Sequence, residues 1–287
     1  MSYAVPAYPI AEKVLPRRLY FLRNRAKALS VEGMSGLLTI KGDTQAAELE
    51  HFTFLERISL EGITDAGMAH LGGLTRLREL SISESPRLTG KGLAHLSGVR
   101  QLKDLRLLDT SVDDAGLYHL RNLNQLEGLI LFRSRVVGSG FQHLSGLNQL
   151  KRLEITESPF TDIGLRHIAA FKRLESLFLN ETRVGDDGVQ YLEGMSQLTM
   201  LGLSGTQVKG SGFASLSPST RIQHFDVSNT PLTDAAIDPL IRIFNAQPSA
   251  RFPPLLDVSK TRLTAVGVKR LRRACPNVKI YSDHDQD

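Results

Sequence analysis

The chain has no tryptophan and one cysteine in 287 residues, and aromatic residues make up only 6% of it. Such sparse aromatics, not interleaved with the basic residues, disfavour a stacking surface for single-stranded nucleic acid. The lone Cys275 excludes an internal disulfide framework and fits a reducing compartment. No run of 18 apolar residues occurs and no apolar stretch follows Met1, so neither a membrane span nor a cleavable signal is expected. That reading favours the cytoplasm and leaves secretion by a non-Sec route open. Catalytic signatures are missing as well: the chain contains no G-x-S-x-G, no G-x-x-x-x-G-K-[ST] and no H-E-x-x-H. No enzyme activity, cofactor or metal centre is expected.

What the chain does have is a period. Leu102, Leu126, Leu150, Leu174, Leu198 and Ile222 recur every 24 residues, and each opens a unit with the phrase L-x-x-L-x-L or its apolar variants, as in Leu153-x-Ile155 and Phe225-x-Val227. Around Leu126 the phrase continues through Leu129 and Leu131, a turn at Ser134, apolar Val136, and a short helical run ending near Gly146. A fixed period in the low twenties with this grammar specifies a leucine-rich-repeat solenoid, in which each unit buries its apolar face only against its neighbours. The fold class is α/β: a right-handed horseshoe with a parallel sheet on the concave face and short helices on the convex face.

The columns of the repeat each suggest a task. A hydroxyl follows each strand, at Ser85, Thr110, Ser134, Ser158, Thr182, Thr206, Thr230 and Thr261, placed to bond turn backbone. Asp65, Asp114, Asp162, Asp186 and Asp234 sit where helices start and read as N-caps. Gly92, Gly116, Gly140, Gly164, Gly188 and Gly212 fall where a side chain would obstruct packing. Gly73, Gly98, Asn122, Gly146 and Gly194 read as left-handed helix terminators. His51, His70, His95, His119, His143 and His167 form a file that reads as a packing feature spread by duplication, the alternative being a metal site or pH sensor.

Residues 1–37 read as an extended lead-in and a basic capping helix, residues 38–281 as about ten repeats with a C-terminal cap, and 282–287 as a disordered tail. Charge is uneven. Residues 1–30 carry six basic residues against Glu12, and residues 260–287 carry seven against three aspartates, so a mildly acidic body lies between basic ends.

Phrases such as Ile63-Thr64-Asp65-Ala66-Gly67-Met68-Ala69-His70-Leu71 and Leu88-Thr89-Gly90-Lys91-Gly92-Leu93 resemble bacterial T-D-x-G-L leucine-rich repeats. They are also similar to the cysteine-containing class found in F-box leucine-rich-repeat proteins. The resemblance implies a horseshoe and a protein-binding role. Ligase-type members carry an F-box ahead of the repeats, and only Leu15-Pro16 matches its opening here.

Strand positions of alternate parity face away from the core. On the concave sheet they include Arg106 and Leu108, Ile130 and Phe132, Arg152 and Glu154, Phe178 and Asn180, and Met200, with Phe132 and Phe178 as anchors. Large apolar groups bordered by charge at Asp109, Arg133, Glu157 and Glu181 suit a protein interface. The expected function is a monomeric, non-catalytic adaptor or scaffold that binds a protein or peptide there. The alternatives are a nucleic-acid or membrane-surface binder acting through the basic ends, and a bacterial effector or substrate-recognition subunit of a ubiquitin ligase.

Overall fold

The computed structural model describes residues 38–216, 221–246 and 253–284. The expected basic capping helix within residues 1–37 and the tail end at 285–287 lie outside them. The strands are β1 (Leu38–Lys41), β2 (Arg57–Glu61), β3 (Glu79–Ser83), β4 (Ser85–Thr89), β5 (Asp104–Leu108), β6 (Thr110–Ser111) and β7 (Gly128–Phe132). They continue as β8 (Arg152–Thr156), β9 (Ser176–Phe178), β10 (Met200–Gly202), β11 (His224–Asp226), β12 (Leu255–Asp257) and β13 (Lys279–Tyr281). All except β4 and β6 join one parallel sheet of 11 strands in chain order, while β4 and β6 pair beside it.

The leucine phrase makes this sheet because its in-facing residues have nowhere else to go. In the repeat opened by Leu126, the side chains of Leu126, Leu129, Leu131, Val136, Phe141, Leu144 and Leu147 are at most 1% exposed. Burying each is worth about 2 kcal/mol. Equivalent leucines of successive strands stand in register: Leu105 pairs with Leu129 and Leu129 with Leu153. From Phe225 to Leu256 the spacing stretches from 24 to 31 residues, yet the register stays intact, since the two still pair. The convex helix in that stretch runs Ile237–Asn245.

The hydroxyl column does as expected at most positions, but the buried Thr110 Oγ1 has no hydrogen-bond partner among the described residues. Thr182, Thr206, Thr230 and Thr261 donate to the carbonyls of Leu179, Leu203, Val227 and Val258 at 2.6–2.7 Å. The aspartate column differs from expectation. Asp65, Asp114, Asp162 and Asp186 are the first residues inside their helices, and their carboxylates reach one repeat forward. Asp186 accepts from the amides of Lys209, Gly210 and Gly212 at 2.9–3.1 Å. Asp114 does the same for Val137, Gly138 and Gly140, and Asp65 for Thr89 and Gly92. Each carboxylate therefore satisfies the orphan amides that open the next repeat's helix, where negative charge is also favoured. At Gly92, Gly188 and Gly267 an added Cβ would press on the carboxylate of Asp65, Asp162 or Asp234, whereas at Gly116, Gly140 and Gly212 it would strike the backbone of Gly90, Asp114 or Asp186, and at Gly164 the Phe160 ring.

The helix terminators also differ. Of Gly73, Gly98, Gly146 and Gly194, only Gly194 has a positive φ. The helices tighten into 3-10 turns instead, as in Leu74 N–H to Leu71 O and Leu147 N–H to Leu144 O, both 2.9 Å, which satisfy the last carbonyls directly. The left-handed residues stand on the other side of the repeat, immediately after the strand. Gly62, Glu84, Asp109, Arg133, Glu157, Glu181, Gly205, Asn229 and Lys260 all have φ between 48° and 68°. At the C-terminal end, Lys260 N–H donates to Asp283 at 2.7 Å and a His284 ring nitrogen lies 3.0 Å from Leu263 O, so residues 283 and 284 bond back onto the last repeat.

Two outcomes follow. Gly62 has φ +66° and nothing within 4 Å of an added Cβ, while Gly73 has the same open space without a left-handed backbone. Gly62→Ala is expected to lower stability by about 1 kcal/mol, and Gly73→Ala to leave it within about 0.5 kcal/mol; denaturant titration of both variants checks the difference. The second outcome concerns Asp43. Burial alone would push its carboxyl up, but bonds from the Thr64 hydroxyl and amide, the Arg87 charge and the Gly67 amide outweigh it and hold it below the ordinary carboxylate range. Because the folded value is depressed, its stabilisation is complete above the unfolded value of about 3.9 and is lost as pH falls through the folded value. The melting-temperature gap between the parent and Asp43→Asn should thus be largest near neutrality and shrink in acid; a constant gap would exclude the carboxylate's charge as its source.

Candidate functional site

Side chains on the outer face of the sheet form three rows set by the register. The middle row runs Ser81, Arg106, Ile130, Glu154, Phe178, Gly202, Asp226, Asp257 and Tyr281. A second row holds Arg57, Glu79, Asp104, Gly128, Arg152, Ser176, Met200 and His224. In the third, Leu108 pairs with Phe132 and Phe132 with Thr156, and Asn180 lies just past the end of β9.

All nine residues expected to contact a partner are thus on or beside one face, but their apolar members fall into two patches. Leu108, Ile130 and Phe132 stand side by side on β5 and β7. Phe178 and Met200 stand on β9 and β10. Between them β8 presents Arg152, Glu154 and Thr156. Met200 is 39% exposed, and Leu108, Ile130, Phe132 and Phe178 are half-buried. The half-burial of the two phenylalanines has local causes. The Arg133 guanidinium lies 4.8 Å from the centre of the Phe132 ring. Phe178 leans over Gly202, where a Cβ would collide with its ring.

Glycine opens a second notch in the neighbouring row. Arg152 reaches across Gly128 to form an ion pair with Asp104, two strands away, and a Cβ at Gly128 would strike both groups. Arg152 Nε is buried without a hydrogen-bond partner. Ile58, Glu79, Leu80, Ser81, Asp104, Arg106 and Arg152 line a cleft of about 250 Å³ beside this pair. At the rim Arg133 bridges Glu157 at 2.7 Å and Asp109 at 3.5 Å. Sequence reasoning missed the Asp104–Arg152 pair, since 48 positions separate the partners; the glycine at 128 in a strand was its one signal.

The remaining chemistry is quiet. Burial pushes the Cys275 thiol up, away from the reactive thiolate, and its Sγ lies 3.7 Å from Asn245 Oδ1. Along the histidine file, His70 Nδ1 sits 2.6 Å from Glu50 Oε1, and the Tyr118 ring meets His119 and His143 edge-on at 5.7 and 5.3 Å. Among the described residues no group of three or more His, Cys, Asp or Glu side chains is placed to hold a metal ion. No helix among them is long and apolar enough to cross a membrane.

No protein-family model and no curated protein matches the chain. Solved structures do. Internalin C2 of Listeria monocytogenes is similar at 24% identity over 65% of this chain and 78% of its own, with a TM-score of 0.53. Internalin F of the same organism is similar at 17% identity over 93% of both chains, with a TM-score of 0.52. TLR13, solved in complex with ssRNA13, matches at 17% identity and TM-score 0.53 over 76% of this chain and 34% of its own. At these identities the likeness concerns the fold: the chain is a leucine-rich-repeat solenoid with its parallel sheet on the concave side.

Proposed function

We propose that the chain is a non-catalytic recognition module of the T-D-x-G-L repeat class, an adaptor or scaffold that grips a protein or peptide on its concave sheet. The contact residues are Arg106, Leu108, Ile130, Phe132, Arg152, Glu154, Phe178, Asn180 and Met200. One observation carries this reading: among the described residues no helix covers the sheet's outer face, and it holds half-buried Ile130, Phe132 and Phe178 with exposed Met200 among charged groups. Apolar groups fixed on a rigid parallel sheet lose little conformational freedom on binding, and a charged border excludes water around them. Of the fold neighbours, TLR13 was solved with a bound macromolecule, ssRNA13, which supports a recognition role in general and not a protein partner in particular.

The test is a Phe132→Ala, Phe178→Ala pair of variants, titrated against a partner recovered with the full-length chain. Each truncation removes about 2 kcal/mol of buried aromatic contact, which is about thirtyfold in affinity, and leaves the melting temperature nearly unchanged because neither ring is in the core. Unchanged affinity with an intact fold would move the site to the convex side or to the basic ends. In that case binding would also weaken steeply with salt, as contacts to phosphates do.

A further inference from the structure

Among the described residues, some carboxylates of the concave sheet carry an ion-pair partner and others, Glu79 on β3 included, do not. Toward the N-terminal end, Glu61 pairs with Lys41, Asp104 with Arg152 and Asp109 with Arg133. Toward the other end, Glu154, Asp226 and Asp257 share the middle row, and none of the three makes an ion pair among the described residues. Asp226 Oδ1 accepts from the amide and hydroxyl of Ser228 at 2.9 and 2.7 Å, so this carboxylate is held in place on the open face without being neutralised. Phe178 lies in the same row, between Glu154 and Asp226.

The spacing is specific. Neighbouring strands lie about 4.8 Å apart, so β8 and β11 are separated by about 14 Å. An extended peptide crossing the strands advances about 3.4 Å per residue, which puts side chains i and i+4 about 13.5 Å apart and i+2 midway. The Phe178 ring starts on β9 and leans over Gly202 of β10, which places it near that midpoint. A separate observation also points to a ligand. Ser176 belongs to the outward row between Arg152 and Met200, is 4% exposed, and its Oγ has no hydrogen-bond partner. Such a group is stabilised only when something supplies a partner. A peptide main chain crossing β9 beside Phe178 supplies one.

We propose that the outer face of β8 to β11 binds an extended peptide of the pattern basic–x–apolar–x–basic. One cation meets Glu154, the other meets Asp226 with Asp257 beside it, and the apolar side chain between them rests on Phe178. The proposal depends on the concave-face reading above and adds the partner's chemistry to it.

The experiment uses the full-length chain and three fluorescently labelled nine-residue peptides in a Gly-Ser background, read by anisotropy. The first carries R-x-L-x-R, the second R-x-R-x-L with identical composition, and the third E-x-L-x-E. The first binds, the second binds several-fold more weakly, and the third not at all. Replacing both carboxylates, Glu154→Gln with Asp226→Asn, weakens the first peptide about tenfold, the effect of losing two exposed ion pairs, while Arg57→Gln, on β2 at the far end of the sheet, leaves it unchanged. Melting curves confirm that both variants remain folded. Equal binding of the first two peptides would overturn the spacing, and binding of the third, or an unchanged double variant, would overturn the charge assignment. If no peptide binds while Phe132→Ala and Phe178→Ala still weaken the natural partner, the basic pattern fails and the concave-face reading stands.

Discussion

A carboxylate that bonds forward rather than to its own helix is the interaction on which this structure turns. Asp65, Asp114 and Asp186 each accept two or three amides belonging to the next repeat. The amides that open a helix have no partner within it. In an isolated helix they would be met by its own cap or by water; here they are met from the adjacent unit. The bond therefore fixes how far one repeat stands from the next, and the leucine core has to fill that distance. The glycines at the helix starts, the tight 3-10 turns and the strict sheet register are consistent with this one separation. Where the aspartate is missing, glycine replaces its role differently: Gly90 and Gly138 bring their backbones directly against Gly116 and Gly164.

Much of the fold is legible in the sequence because period and parity are one-dimensional properties. The 24-residue spacing and the alternation Leu129-Ile130-Leu131-Phe132 specify a parallel sheet with one buried and one open face. The left-handed column was only partly legible. Gly62, Asp109, Gly205 and Asn229 suit positive φ, but Glu84, Arg133, Glu157, Glu181 and Lys260 do not, so nothing local marks those five. Their conformation is imposed by the strand before and the buried hydroxyl after, an override by tertiary structure that each position tolerates at roughly 1 kcal/mol. The aspartates were legible as helix-start residues, but not in which helix they serve, since a carboxylate's reach across 24 positions is a property of stacking.

The site shows the same division. Parity places Arg106, Ile130, Glu154 and Phe178 in a single row, and register confirms that order. Parity alone could not separate the apolar groups into two patches, because that depends on what β8 places between them. Nor could it show that glycines at 128 and 202 act as notches, each letting a neighbour's side chain lie where a Cβ would otherwise stand. These notches make the face uneven: one is filled by an ion pair, the other by an aromatic ring. A surface of that kind discriminates by shape as well as by charge.

The ion pair over Gly128 also changes how the molecule comes apart. In most of the solenoid each unit touches only the unit before and after it, and such an array melts like a row of dominoes, inward from whichever end is weaker. Asp104 and Arg152 tie the units on β5 and β8 together over the head of the one on β7. Three units thereby share one contact of about 1 kcal/mol or less at this exposure. Fraying that reaches any of the three loses it, so β5 to β8 are coupled slightly beyond the nearest-neighbour rule.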